Sequence, residues 1–237
     1  MLSNFFSGGL SHPLAQPIRW LGIRGLGAVL AGAAFLVPPV ASAQGILPTF
    51  RNSSDRFVEL RAGIQRGYRS ASSARYNFYV VDPKVTSKRF IITEVTDLFA
   101  KEGGRFNLDR IEVRVCSNMG NVLRRPQCRE TVPLAAILSC SSTDGCQSYN
   151  PATKETIVES EAYEGLPYIS ITPQEPLSAD QDYNIVFSNV KNPRLAVDYQ
   201  YNLSIETPNN ACAEDWRTAL GHCAIGTWFV PIDTNAN

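Results

Sequence analysis

An all-β fold, an antiparallel β-sandwich of immunoglobulin-like or jelly-roll-like kind, is predicted by three observations. Apolar and polar residues alternate with period two in short segments, Gly, Pro and Asn separate those segments, and helical periodicity is scarce. The clearest segment is Asp198 to Glu206, where Tyr199, Tyr201, Leu203 and Ile205 alternate with Gln200, Asn202 and Ser204. Such alternation predicts one buried and one wet face. Ile111, Val113 and Val115 alternate with Arg110, Glu112 and Arg114, and Tyr183, Ile185 and Phe187 flank Asn184 and Ser188. Further strands are expected at Tyr76 to Val81, Arg89 to Val95, Thr156 to Ser160, Tyr168 to Thr172 and Thr227 to Ile232. Eight strands between turn signals give the sandwich. Two short helices complete the expectation. Ser54 caps one from Asp55 to about Ala62, with Phe57, Leu60 and Ile64 on one side and Gly63 as its exit; the other runs from Ala213 to Leu220 and ends at Gly221.

The N-terminal 43 residues have a different character. They hold Arg19 and Arg24, no acidic residue, an apolar run from Leu26 to Val37, the pair Pro38-Pro39 and then Ala41-Ser42-Ala43. This is the pattern of an export signal cleaved after Ala43. The competing reading is an uncleaved anchor, but the apolar run is shorter than the ~20 residues that span a bilayer as a helix. The expected organisation is a cleaved signal peptide over 1–43, an Arg-rich arm with a short helix over 44–75 and the β-sandwich over 76–237. Ser70 to Ala74 reads as a small polar hinge between arm and sandwich.

Composition narrows the function. With 22 Lys plus Arg against 22 Asp plus Glu, the formal charge is zero, which argues against nucleic-acid binding as the main task. The six cysteines form an even set behind an export signal, so disulfides are expected. Spacing favours near neighbours: Cys116 with Cys128, Cys140 with Cys146 and Cys212 with Cys223, each loop containing a Gly. Zinc is the rival, but no pair has the short gap of a zinc knuckle.

The run Asp182-Tyr-Asn-Ile-Val-Phe-Ser-Asn-Val-Lys-Asn-Pro-Arg194, followed by Tyr199-Gln-Tyr-Asn-Leu-Ser-Ile205, resembles the strand, Lys/Arg-Asn-Pro turn, strand hairpin of a cyanobacterial family of exported proteins of unknown function. The closing Gly226-Thr-Trp-Phe229 segment is similar as well. The resemblance implies an exported β-sandwich with a periplasmic, surface or thylakoid-lumen address. It implies no catalytic residues.

The chemical inventory points away from catalysis. Beyond the signal the only histidine is His222, next to Cys223, and no nucleophile elbow, phosphate loop or His-Glu-x-x-His pair occurs. A carboxylate-based hydrolase acting on envelope polysaccharide is the alternative, with Glu159, Glu161 and Glu164 as candidate acids. Their position before a Gly-Leu-Pro turn also fits a solvated edge that discourages aggregation. Asp180, Asp182 and Glu175 offer oxygen ligands for calcium, but the calcium-loop pattern is absent and no metal or cofactor is expected. Asn52-Ser-Ser and Asn202-Leu-Ser are glycosylation acceptors only in a eukaryotic route.

Charge placement suggests a partner. Arg51 to Arg75 carries six arginines against Asp55 and Glu59, whereas Lys154 to Asp182 carries seven acids against one Lys. Arg51, Arg56, Arg61 and Arg66 recur every five residues, which rings a helix with positive charge instead of striping it, and Arg69 extends the set. The expectation is a docking arm outside the sandwich that engages a protein partner in the envelope or lumen, or makes a peripheral membrane contact. Mutual neutralisation within one fold is the alternative. The resulting reading is an exported, non-catalytic binding or structural module.

Overall fold

The computed structural model describes residues 59–117, 119, 126–159, 163–209, 211–212 and 221–234. The signal segment, Arg51, Arg56, Glu161 and the predicted helix over 213–220 lie outside the described residues. The β-sandwich is confirmed. Twelve strands are described: β1 Ala62–Gln65, β2 Ala74–Val80, β3 Arg89–Glu94, β4 Ile111–Ser117, β5 Gln127–Thr131, β6 Leu134–Ser141, β7 Gly145–Asn150, β8 Glu155–Glu159, β9 Tyr168–Pro173, β10 Asp182–Val190, β11 Asp198–Glu206 and β12 Cys223–Pro231. They form a five-stranded sheet in the order β1-β2-β10-β4-β5 and a seven-stranded sheet in the order β12-β11-β3-β9-β6-β7-β8. Every strand pairing is antiparallel.

The core follows from the alternation. In β2, Ala74, Tyr76, Phe78 and Val80 are buried while Arg75, Asn77 and Tyr79 are half-buried. Phe78 stacks on Trp228 of the facing sheet at 4.7 Å between ring centroids and 13° between planes. Phe187 meets Phe78 edge-on at 5.3 Å, and Tyr201 lies 5.7 Å from it. Large apolar faces from both sheets thus leave water together, which is the main drive to fold.

The predicted disulfides Cys116–Cys128, Cys140–Cys146 and Cys212–Cys223 are all formed. The first two join residues directly opposite each other, with Cα atoms 4.0 and 4.1 Å apart, and so pin the register of β4 on β5 and of β6 on β7.

Several expectations are corrected. The helix from Asp55 to Ala62 is absent over its described part: Glu59 bridges to Thr227, Leu60 N–H donates to the Thr227 carbonyl at 2.7 Å, and β1 begins at Ala62. The described part of the arm, from Glu59 onward, does not lie outside the sandwich, because residues 59–65 step from the β12 edge to the β2 edge and close that side. Backbone pairing with two sheets outweighs the weak helical spacing of Phe57, Leu60 and Ile64. Nor is 70–74 a hinge. Ala71 and Ala74 are buried, and Ser70 N–H donates to the Pro193 carbonyl at 3.0 Å. The only helical element among the described residues is a 3-10 turn, Leu108–Arg110.

The Asn-Pro segment does not make a hairpin. β10 pairs with β2 and β4, whereas β11 pairs with β12 and β3, so the turn passes from one sheet to the other. Nor is the second face of β11 wet. Gln200, Asn202, Ser204 and their neighbour Thr227 are buried, because β11 is an interior strand with Phe229 and Thr227 on one side of that face and Ile91 and Thr93 on the other. The row is internally satisfied: the Thr227 hydroxyl and the Gln200 amide both donate to Asn202 Oδ1, at 2.7 and 3.3 Å.

Candidate functional site

Where the seven-stranded sheet continues past β3, the interior is hollow. A cavity of about 260 Å³ lies there between β3, β9, β6 and β7 on one side and Phe78, Leu108 and Phe187 on the other. Its second boundary is the loop from Val95 to Asn107, which folds because its backbone bonds are local: Glu102 N–H donates to Leu98 O at 2.8 Å and Gly104 N–H to Phe99 O at 2.8 Å. Glycine is required at 104, since a Cβ there would stand 2.7 Å from the Phe99 carbonyl oxygen and 2.8 Å from the ring. This close approach lets Phe99 stack on Phe106, with centroids 4.6 Å apart and planes at 13°. Phe106 in turn sits 5.0 Å from Phe187 and 6.1 Å from Tyr201.

Two buried polar groups face this aromatic wall. Glu94 and Tyr201 are cross-strand neighbours on β3 and β11, 4% and 2% exposed, and both line the cavity. Glu94 Oε1 accepts three hydrogen bonds, from the Thr96 hydroxyl at 2.9 Å and from the amides of Leu98 and Phe99 at 2.8 Å each. That carboxylate oxygen therefore organises the loop. No described residue donates to Oε2. Burial pushes the Glu94 carboxyl above the usual range, against the opposing pull of those three bonds. The Tyr201 hydroxyl is buried without a hydrogen-bond partner among the described residues, and its burial raises it well above an ordinary phenol. An unmatched buried hydroxyl costs about 1–3 kcal/mol.

The rim is polar. Exposed Arg105 reaches across to half-buried Asp144 of the β6–β7 turn, Nη2 to Oδ1 3.4 Å. Ser142 of the same turn donates to both carboxylate oxygens of Asp97, at 3.0 and 3.1 Å. Two contacts thus join the loop to the β6–β7 turn, and the Cys140–Cys146 disulfide fixes the base of that turn.

Among the described residues singled out from the sequence, Cys140 lines the cavity and the arginines do not. Arg61, Arg66 and Arg69 are exposed on the closing segment. The Arg61 guanidinium lies over the Tyr79 ring at 5.5 Å, and Arg66 Nη1 donates to the Ser73 hydroxyl. Glu159 ends β8, and Glu164 is exposed and does not line the cavity. Asp182 is a loop organiser, accepting from the amides of Asp82 at 3.0 Å and Met119 at 3.3 Å. Among the described residues no cluster of His, Cys, Asp and Glu could hold a metal ion. His222 is half-buried, close enough to Glu206 to help hold that carboxyl below its usual range, behind the stronger hydrogen bond from Lys88. The spacing Phe99 to Phe106 around Gly103-Gly104 was the one available sign of the cavity.

The Asn-Pro segment has a structural role. Asn192 is buried, its Oδ1 accepts from the Tyr76 hydroxyl at 2.7 Å, and its Nδ2 donates to the carbonyls of Arg66 and Tyr68 at 2.9 and 2.8 Å. One side chain therefore ties the closing segment to the turn between β10 and β11.

A two-sheet antiparallel sandwich with a cavity at one end of its interior is the class defined by this geometry. The chain belongs to the family described as "Protein of unknown function (DUF2808)", whose model matches residues 49–214. No curated protein matches it. Two solved structures are similar at low level. One is titled "Complete structure of manganese lipoxygenase of Gaeumannomyces graminis and partial structure of zonadhesin of Komagataella pastoris", with 10% identity, TM-score 0.34 and coverage of 73% of this chain and 45% of that one. This chain thus spans under half of that one. The other is a collagen-binding domain from a Staphylococcus aureus adhesin, with 8% identity, TM-score 0.31 and coverage of 75% and 99%. Neither likeness carries an argument about function.

Proposed function

We propose that the protein is an exported, non-catalytic binding module, an accessory subunit of a larger assembly in the cell envelope or thylakoid lumen, and that the cavity is its ligand seat. One observation carries the reading: a cavity walled by aromatic rings and lined by Glu94 and Tyr201, the Tyr201 hydroxyl being buried and unpartnered among the described residues. An orphan of that kind calls for an explanation, and at the wall of a cavity a ligand nearby supplies one. The volume, below the ~300–1,000 Å³ of drug-sized sites, suits a small molecule. Both carboxylates of the lining are engaged, Glu94 Oε1 by three donors and Asp144 by Arg105, which favours holding a ligand over moving protons. Three disulfides and the Ala41-Ser42-Ala43 pattern support export. Among the described residues no helix is long and apolar enough to cross a membrane. Arg61, Arg66 and Arg69, with Arg51 and Arg56 before them, are the proposed contact to a protein partner.

A thermal-shift screen of the exported protein against small fragments of varied charge tests the seat. The expected result is a raised Tm for a subset, recovered chemically unchanged, and no shift in Phe187→Trp, which fills the cavity. Finding no stabilising fragment, or finding that the bound fragments are turned over, contradicts the reading.

A further inference from the structure

The cavity has a charge signature as well as a shape. Its charged lining residues are Glu94, Arg105 and Asp144. Arg105 and Asp144 face each other at the rim, and Glu94 is left inside with no Lys or Arg bridged to it among the described residues. Its Oε1 is saturated by the Thr96, Leu98 and Phe99 donors, so Oε2 is the acceptor left for a ligand. Around it stand Phe78, Phe99, Phe106, Phe187 and Tyr201.

Aromatic faces carry the negative end of the ring quadrupole and attract cations, most strongly where water is excluded. A buried carboxylate acts in the same sense, because an opposite charge offsets its desolvation whereas an anion adds like-charge repulsion. The Tyr201 hydroxyl can orient a ligand donor or acceptor, but by itself it selects no charge. Carboxylate and rings together do.

Building on the ligand-seat reading, we infer that the cavity recognises a small organic cation, an ammonium group on an apolar body, with the nitrogen at Glu94 Oε2 beside Tyr201 and the body against the phenylalanine rings. Arg105 and Asp144 then form a neutral gate, and the β6–β7 turn and the 95–107 loop flank the entry.

Titration calorimetry on the exported protein with 2-phenylethylammonium, its neutral isostere 2-phenylethanol and phenylacetate tests this. The expected order is the cation at least about tenfold tighter than the alcohol, and phenylacetate weakest. Glu94→Gln, whose amide oxygen can still accept the loop bonds, should bring cation and alcohol to within about twofold, and Tyr201→Phe should weaken both. Should Glu94→Gln not fold, the probe order on the wild type and on Tyr201→Phe decides. An alcohol or phenylacetate that binds as tightly as the cation, or a cation preference that survives Glu94→Gln, overturns the inference while leaving the seat intact. Binding of none of the three, together with a blank fragment screen, overturns both.

Discussion

The two ends of the sandwich interior share Phe78 and Tyr201 and yet have opposite character. Towards β12, Phe78 lies flat on Trp228, both rings are fully buried, and residues 59–65 seal the side by bonding to both sheets. Towards β6 and β7 the same Phe78 lines a cavity, where a carboxylate and a hydroxyl occupy positions that apolar side chains would fill in an ordinary core. The unequal width of the sheets sets up the contrast, five strands facing seven. At the outer edge of the wider sheet, β8 leaves Ile157 and Val158, which point to opposite faces of the strand, 64% and 60% exposed. Close packing gives stability at one end; hollow, polar construction at the other forgoes it.

Substitutions should separate the two ends. Trp228→Ala should have the largest effect, a loss of about 3–5 kcal/mol in urea unfolding, since a buried ring leaves a void among fully buried neighbours. Phe106→Ala, at the hollow end and only half-buried, should cost about 2 kcal/mol. Equal losses would mean that the two ends are packed alike. Asn192→Ala should cost roughly 2–3 kcal/mol, because the Tyr76 hydroxyl and the carbonyls of Arg66 and Tyr68 lose their partner, and hydrogen exchange should speed up at Tyr68 to Ala71. Exchange that is unchanged there would show that the closing segment is held without it.

The smallest expected effect is in pH dependence. Glu94 is raised from the ordinary 4.5, so the folded protein binds that proton more tightly than the unfolded chain does. Its contribution is therefore complete below the unfolded pKa and is lost as pH rises through the folded pKa. The wild type should lose stability over that window, whereas Glu94→Gln should lack this step in Cm measured against pH. A step retained in the variant assigns it to another group.

The strands were legible where alternation is long and apolar, as at Asp198 to Glu206, whose bounds the structure reproduces. Legibility failed for local reasons. β5, Gln-Cys-Arg-Glu-Thr, has an almost wholly polar sequence because it is an edge strand, and β7 carries a single buried side chain, Tyr149. β1 was hidden by a helical spacing that backbone pairing overrides. Near-neighbour spacing was enough for the disulfides, since two of the three close antiparallel pairs. The cavity was hardest to read. Tyr201 looks like any inward strand residue, and Glu94, at the end of a strand, like any solvated acid; only the register that sets them side by side gives them a shared role.

The proposed ligand seat is the hollow end and not the exposed edge. Methyl NMR of the protein during titration with 2-phenylethylammonium tests it most directly. Saturable shifts are expected at Ile92, Leu108 and Ile169, which line the cavity, with Ile157 and Val158 of β8 unmoved. Shifts confined to Ile157 and Val158, or none at the cavity methyls at saturating probe, would contradict it.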